Sequence, residues 1–329
     1  MPRVLTVRAA RFPLARPFRI ARGVKTAADV IVVELGGGDV TGRGEGVPYP
    51  RYGESVKGAL AAVEAARALV EGGAGRAELL QAMPPGAARN AVDCALWDLE
   101  ARAAGRDVAA LLGAPRPGPL ASALTIGLDA PDAMARAAAA VADAPLLKVK
   151  VDADDPEARL RAVRAAAARA ALIVDPNESW DRPLVERLGP ALAALRVDLL
   201  EQPVPAGEDD WLEGYVAPVP ICADEAVHTA ADLPVVARRY QAVNVKLDKA
   251  GGLTAALELA AAARGAGLRL MCGCMISSSL SIAPALHVAR AADFVDLDGP
   301  LWLADDRPGG VRDEGGVLHP PAPGFWGEA

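Results

Sequence analysis

Aromatic residues make up only 4% of this 329-residue chain. That is too few to build a base-stacking surface for single-stranded nucleic acid. Basic residues are not in excess either: 35 Lys and Arg stand against 42 Asp and Glu, for a net charge of −7. The chain therefore has no electrostatic footprint for DNA or RNA. Cysteine is scarce: Cys94, Cys222, Cys272 and Cys274 form no CxxC pair and read as free, buried thiols of a reduced compartment. His228, His287 and His319 are scattered and have no metal-ligand spacing, so packing or surface roles are expected. No run of about 18 uncharged apolar residues occurs, which argues against a membrane span. The opening MPRVLTVRAARFPLARPF is broken by Pro and Arg and lacks an apolar stretch of signal-peptide length. A soluble cytoplasmic protein is the expectation, with neither nucleic acid nor membrane among its partners.

Apolar residues, by contrast, reach 52%, enough for a large core. The length suits one barrel plus a smaller domain. Two regimes are legible. Residues 1–118 read as α+β, with strand-like runs at Val4–Ala9 and Val30–Leu35 and a turn-rich loop at Gly46–Ser55. Long helical patterns cover Val56–Glu71 and Arg89–Leu112. In the second helix, Val92, Ala95, Leu96 and Leu99 recur at helical spacing, and Gly113 and Pro115 are expected to stop it. From Leu120 short apolar strands alternate with Ala-rich helices. Strands are expected at 121–126, 146–151, 172–175, 197–201, 221–224, 242–247, 269–273 and 294–298. Eight βα units of this length predict a closed parallel barrel over residues 119–303. An open doubly wound sheet is the weaker alternative, because no GxGxxG or P-loop follows the first strand. Residues 304–329, rich in Pro and Gly, are expected to return to the N-terminal region.

Barrel strands should be apolar, yet several end in charge, at the end where active sites of this fold lie. Lys148 and Lys150 in LLKVKVD are two apart and share one side of the strand. If both point inward, each makes the other costlier to charge and lowers its pKa toward that of a base; a solvated strand end is the bland alternative. Asp175, Glu201 and Asp224 end three consecutive strands. Each alone could be a helix N-cap. Together, on strands under about 5 Å apart, they converge, and an all-oxygen set suits Mg²⁺ or Mn²⁺. Asn177 and Glu225 stand beside them. Lys246 lies inside the apolar run of the sixth strand, while Lys249 falls after it, at the loop surface or near an anionic group. The second and sixth strands face each other across an eight-stranded barrel, so Lys150 and Lys246 would reach a ligand from opposite sides. Asp296 and Asp298 share one face of the last strand. They read as a pocket for a substrate ammonium, with a second metal site or a turn before Gly299 and Pro300 as alternatives.

A proton next to a carboxylate is weakly acidic, and its removal leaves an enediolate that needs electrostatic stabilisation, which a divalent cation can supply. Two opposed lysines can take that proton from one face and return it to the other. This suits racemisation or epimerisation better than dehydration.

These motifs, with PFRIARG (17–23), PYPRYGES (48–55), GAARNAVDCALWDLEAR (86–102), VDPNESW, LEQPVP, ICADE, VNVKLDKAGGL and DLDGPLWLADD, resemble the enolase superfamily nearly end to end. The closest resemblance is to its muconate-cycloisomerase-like subgroup and, through the DxD, to dipeptide epimerases. Lysine bases with Mg²⁺-stabilised enediolates are a general pattern of that superfamily. The resemblance implies an α/β fold: a (β/α)₇β modified TIM barrel with an α+β cap formed by the N-terminal region and the C-terminal tail. It implies Lys150 and Lys246 as acid/base pair, with Lys148 tuning Lys150 and neighbouring the substrate carboxylate. Asp175, Glu201 and Asp224 would hold Mg²⁺, with Mn²⁺ an alternative. Asp296 and Asp298 would bind the dipeptide ammonium, and Thr125 would line the pocket. Arg22, on a mobile cap loop, would meet a glutamate side chain, with Lys25 a weaker candidate. The implied reaction is epimerisation of L-Ala-D-Glu to L-Ala-L-Glu in murein-peptide recycling. An N-acylamino-acid racemase, a cycloisomerase, an o-succinylbenzoate synthase or a dipeptide epimerase of other specificity is the alternative, and a non-catalytic barrel a third. Ser277 stands where many subgroup members carry Glu, which weakens a cycloisomerase reading. A homo-oligomer is left open.

Overall fold

The computed structural model describes residues 3–328; residues 1, 2 and 329, at the ends of the expected ranges, lie outside the described residues. β1 (Arg3–Ile20) and β2 (Gly23–Gly37) form a long antiparallel hairpin, and β3 (Val40–Gly46) pairs with β2. The ladder between β1 and β2 shifts register between Pro13 and Phe18, where the prolines cannot donate. The expected strands at 4–9 and 30–35 are thus the inner parts of much longer ones.

β3 has no strand signal in the sequence, because VTGRGEG looks like a turn. Its glycines have a packing reason. A Cβ at Gly42, Gly44 or Gly46 would overlap the carbonyl oxygens of Ala95, Ala91 and Ala87 on the helix above. α1 (Val56–Glu71) is capped by Ser55, whose hydroxyl accepts from Gly58 N. α2 (Arg76–Ala82) follows, and α3 (Ala87–Ala104) lies on the glycine side of β3. α3 stops at Gly105, left-handed at φ 59°, rather than at Gly113. A separate turn, Val108–Leu111, starts on an Asp107 cap.

β4 (Leu120–Ala121) splits from the first expected barrel strand because it pairs with the tail. The barrel strands are β5 (Leu124–Ile126), β6 (Leu146–Lys150), β7 (Ala171–Asp175), β8 (Leu199–Glu201), β9 (Ile221–Ala223), β10 (Ala242–Val245), β11 (Arg269–Gly273) and β12 (Phe294–Asp296). They run in chain order as one eight-stranded parallel sheet, and Ala123 N donates to Val295 O at 2.8 Å to join its two edges. Six of the seven connections carry an α-helix; that from β8 to β9 has only the 3₁₀ turn Asp210–Leu212. Four strands end earlier than expected: β6 stops at Lys150, Asp224 lies past β9, Lys246 caps the turn Leu247–Ala250, and Asp298 caps the 3₁₀ turn Gly299–Trp302.

β13 (Arg312–Asp313) and β14 (Val317–His319) form a small antiparallel sheet with β4. Beyond it the chain returns to the N-terminal layer. Trp326 Nε1 donates to Arg43 O, and Gly327 N to Asp98 Oδ1. No helix among the described residues is long and apolar enough to cross a membrane.

Candidate active site

The barrel interior is layered. One apolar cluster holds Ala123, Leu146, Ile173, Leu199, Cys222, Ala242, Met271 and Phe294, one residue from each strand or the residue just before it. Strand side chains alternate faces, so the next inward position on each strand is two residues on. Those positions are Thr125, Lys148, Asp175, Glu201, Asp224, Asn244, Gly273 and Asp296. The barrel thus changes from an apolar plug to a polar ring within one step. All the ring side chains are buried. Gly273 is small for a reason: a Cβ there would meet the Asn244 side chain. Asn244 Nδ2 in turn donates to Glu201 Oε1 at 2.9 Å.

The ring's charges compensate one another. Lys148 Nζ stands 2.7 Å from Glu201 Oε2, 2.8 Å from Asp296 Oδ2 and 3.1 Å from Asp175 Oδ2. Lys150 Nζ donates to Asp175 Oδ2 at 2.6 Å. Lys246 Nζ donates to Asp224 Oδ2 at 2.7 Å, and Lys249 Nζ to Asp224 Oδ1 at 2.6 Å. The expectation that neighbouring lysines lower one another's pKa is not met at Lys148. Burial opposes its charge, but Asp296, Glu201 and Asp175 outweigh burial and push its pKa well up. Burial likewise opposes charge on Lys246, and Asp224 outweighs it. Burial alone would raise Asp175 and Asp224, yet the adjoining lysines hold both below the usual carboxylate range. Glu201 is pushed up to about 7, by burial first and Asp175 next.

Asp175, Glu201 and Asp224 suit a hard divalent cation in kind: all oxygen, on adjacent strands, with two of them bridged by one ammonium. Glu201 Oε2 is also buried without a hydrogen-bond donor, despite its closeness to Lys148. Among the described residues no three Asp, Glu, His or Cys side chains stand in ready-made ligand geometry; the carboxylates meet lysines instead.

An open-mouthed pocket lies above the ring. Lys148, Lys150, Asp224, Lys246, Asp296, Asp298, Thr125 and Arg22 all line it, whereas Asp175 and Glu201 sit beneath. Asp296 Oδ1 is buried without a partner. Asp298 Oδ2 accepts from Thr125 N and Trp302 Nε1, and its carboxyl is pushed up to about 6 by burial and Asp296. Arg22 sits in the tight turn between β1 and β2. Its Nη1 lies 2.6 Å from Glu225 Oε1 and 3.0 Å from Glu178 Oε2. Glu178 also grips Arg51 through two contacts of 2.7 Å. Lys25 lines the pocket over the Tyr49 ring, and burial lowers its pKa.

Several residues here were not singled out from sequence. Phe18, Ile20, Tyr49, Tyr52, Met275 and Ile276 complete the pocket wall. Tyr49 and Tyr52 lie in the turn-rich 46–55 loop, whose aromatics amid so few were a usable signal. Of the two expectations for Lys249, the structure shows the anionic neighbour and not the loop surface: it is buried and satisfied by Asp224 and the Asn244 carbonyl. Glu178 and Gln202 are polar residues directly after strand-end motifs, and nothing local marks their partners. Ser277 is buried and donates only to Met275 O. His287 and His319 line no part of the pocket, while His228 packs on Tyr52. Cys94, Cys222 and Cys272 are buried and all four cysteines are free; Cys274 lines the pocket.

Two family models match. The mandelate racemase / muconate lactonizing enzyme N-terminal domain covers residues 3–113, and the enolase C-terminal domain-like family covers 132–325. The chain is 46% identical to L-Ala-D/L-Glu epimerase of Escherichia coli K12, over 94% of this chain and 97% of that one. It is 43% identical to N-acetyl-D-glutamate racemase of a Pseudoalteromonas species, over 91% and 96%. A crystal structure of an Agrobacterium tumefaciens enolase family member with homology to dipeptide epimerases, holding sodium and L-Ala-L-Glu, matches at TM-score 0.96 and 50% identity. The match covers 99% of this chain and all of that one. A Methylococcus capsulatus dipeptide epimerase complexed with Mg and L-Arg-D-Lys matches at TM-score 0.88 and 35% identity, over 97% of each. A Mg²⁺ cofactor is consistent with such relatives and with the oxygen-donor set. The layered barrel under an antiparallel cap, the charged ring and these matches lead to one conclusion: the chain belongs to the enolase superfamily, in its mandelate racemase / muconate lactonizing group, and is an isomerase of the epimerase and racemase kind.

Proposed function

We propose that this protein is a dipeptide epimerase that interconverts L-Ala-D-Glu and L-Ala-L-Glu by moving the glutamate α-proton from one face to the other. One observation carries the reading. Lys150 and Lys246 enter the same pocket from β6 and from the end of β10, four strands apart round an eight-stranded barrel. One ammonium side chain, once deprotonated, takes the proton; the other returns one to the opposite face. Lys148 orients the α-carboxylate and keeps the charge near Lys150 balanced. Asp175, Glu201 and Asp224 would hold Mg²⁺, or Mn²⁺, which when bound supplies positive charge for the developing enediolate.

Asp296 and Asp298 receive the substrate ammonium. The unpartnered, buried Asp296 Oδ1 supports this, because a cationic donor would satisfy it. Thr125 walls the same end. Arg22 faces the substrate side-chain carboxylate, which competes with Glu178 and Glu225 for its guanidinium. The division into a cap (1–118), a barrel (119–303) and a returning tail (304–329) belongs to the same proposal, as do a cytoplasmic setting and a role in murein-peptide recycling.

The test is incubation with L-Ala-D-Glu and Mg²⁺ in D₂O, followed by NMR. Deuterium at the glutamate Cα together with L-Ala-L-Glu is expected; absence of both overturns the reading. A second reading, racemisation of an N-acylamino acid, rests on the partners that Asp298 and Asp296 already have in Thr125, Trp302 and Lys148. A higher kcat/KM on N-acetyl-D-glutamate than on L-Ala-D-Glu would favour it.

A further inference from the structure

We propose that Gln202 is a positioning residue that sets two parts of the site at once: the strand end bearing Asp224 and the acidic pair that meets Arg22. The inference rests on the assignment of Asp224 and Arg22 given above. Gln202 is fully buried, directly after Glu201. Its Oε1 accepts from Asp224 N at 2.9 Å and from Ala226 N at 3.1 Å. Those two amides flank Glu225, so one side-chain oxygen fixes the peptide on both sides of it. Its Nε2 donates to Val204 O and to Tyr240 Oη, both at 3.0 Å. Tyr240 Oη then donates to Asp209, whose other oxygen accepts from Arg239 Nη1 at 2.7 Å. A buried amide with these four bonds cannot turn over without leaving donors facing donors.

The main chain of Gln202 carries the second connection. Its carbonyl accepts from Glu178 N at 2.9 Å. Glu178 and Glu225 are the two carboxylates that meet Arg22, and Gln202 bonds the backbone of one and straddles the other. The backbone here is strained: Gln202 stands at φ 32°, Asn177 at 48° and Glu178 at 67°. Left-handed non-glycine residues are uncommon and persist where surroundings over-determine them. The side-chain bonds of Gln202 supply that determination.

The experiment uses the full chain and three variants: Gln202→Glu, Gln202→Leu and Tyr240→Phe. Gln202→Glu keeps the acceptor for Asp224 N and Ala226 N but turns the donor facing Val204 O into an acceptor. Three readouts are taken: thermal midpoint, Mg²⁺ affinity by calorimetry without substrate, and the kcat/KM ratio for L-Ala-D-Glu over L-Ala-D-Gln. The proposal predicts that Mg²⁺ affinity falls about 10- to 100-fold in either Gln202 variant, the size usual for residues behind metal ligands. The preference for the acidic substrate falls with it, and Tyr240→Phe shows both effects in smaller measure. Should the Gln202 variants not fold, two observations decide. They are Tyr240→Phe and the Mg²⁺-dependent NMR shift of the wild-type Gln202 side-chain amide, expected to track that of Asp224 N. A lower thermal midpoint with Mg²⁺ affinity and substrate preference both within twofold of wild type overturns the proposal, as does an amide that ignores Mg²⁺. Wild type that binds no Mg²⁺, or exchanges no α-proton, refutes the underlying reading instead, and those controls are separate arms.

Discussion

Replacing Lys148 with methionine removes one charge from the centre of three carboxylates while nearly keeping its volume. The ammonium lies 2.7–3.1 Å from Glu201, Asp296 and Asp175 and is almost wholly buried. At an effective dielectric of about 20, each such contact is worth on the order of 6 kcal/mol of Coulomb attraction. Desolvation of the ions offsets much of that sum, and removing one member of a buried set typically costs about 3–5 kcal/mol. The expected loss in unfolding free energy for Lys148→Met, in EDTA near pH 8, is therefore about 3–5 kcal/mol. The pH dependence has a definite sign. Glu201 is raised to about 7 even with Lys148 present, and losing the cation raises it further, while its unfolded value stays near 4.3. The folded variant then binds more protons than the unfolded chain across that window, so its stability falls as pH rises. Below about pH 7 Glu201 is protonated with or without the cation, so the pH-dependent part of the penalty opens above about pH 7 and grows as pH rises toward the variant's higher value. Urea denaturation of wild type and variant at about pH 8 and about pH 5.5 measures it. A difference below about 1 kcal/mol, or one equal at both pH values, refutes the reasoning.

Two other predictions follow from single contacts. Asp298→Asn keeps the shape and the acceptor for Thr125 N but loses the charge, so kcat/KM for L-Ala-D-Glu should fall about tenfold or more, while any turnover of an N-acyl substrate stays level; steady-state kinetics on both substrates checks it. Gly44→Ala drives a Cβ into the Ala91 carbonyl, a backbone clash no rotamer relieves, and should cost at least about 1–3 kcal/mol. Gly118→Ala, with nothing within 4 Å, should stay within about 0.5 kcal/mol by the same denaturant titration.

The barrel and its charged ring were legible for one reason: charge at the end of an apolar strand is costly unless used, and period-two alternation says which side it faces. Those two facts alone place Lys148, Lys150, Asp175, Glu201, Asp224, Lys246, Asp296 and Asp298 at one end of the barrel. The cap was harder. β1 and β2 are largely exposed along their outer halves, so their apolar signal fades beyond 4–9 and 30–35. β3 was hidden by glycines whose purpose is the helix above them, a tertiary fact. The stop of α3 at Gly105 was missed because apolar residues resume at Val108. For Lys249 the sequence left open a loop surface or a neighbouring anionic group, and the fold selects the second, because its acceptors, Asp224 and the Asn244 carbonyl, come together only in the folded barrel. The Arg22 cluster with Glu178 and Glu225 was invisible for the same reason, joining residues about 155 and 200 positions apart.

The central claim is that two lysines serve two faces of one carbon. It is tested most directly by Lys150→Ala and Lys246→Ala, each incubated separately with L-Ala-D-Glu and L-Ala-L-Glu in D₂O with Mg²⁺. Both variants should lose epimerisation by at least about 10²–10⁴-fold, the worth of a positioned acid/base group. Each should still exchange the α-proton of one epimer only, and the two variants should exchange opposite epimers. Loss of exchange on both epimers in both variants, or retained epimerisation in either, would contradict the account.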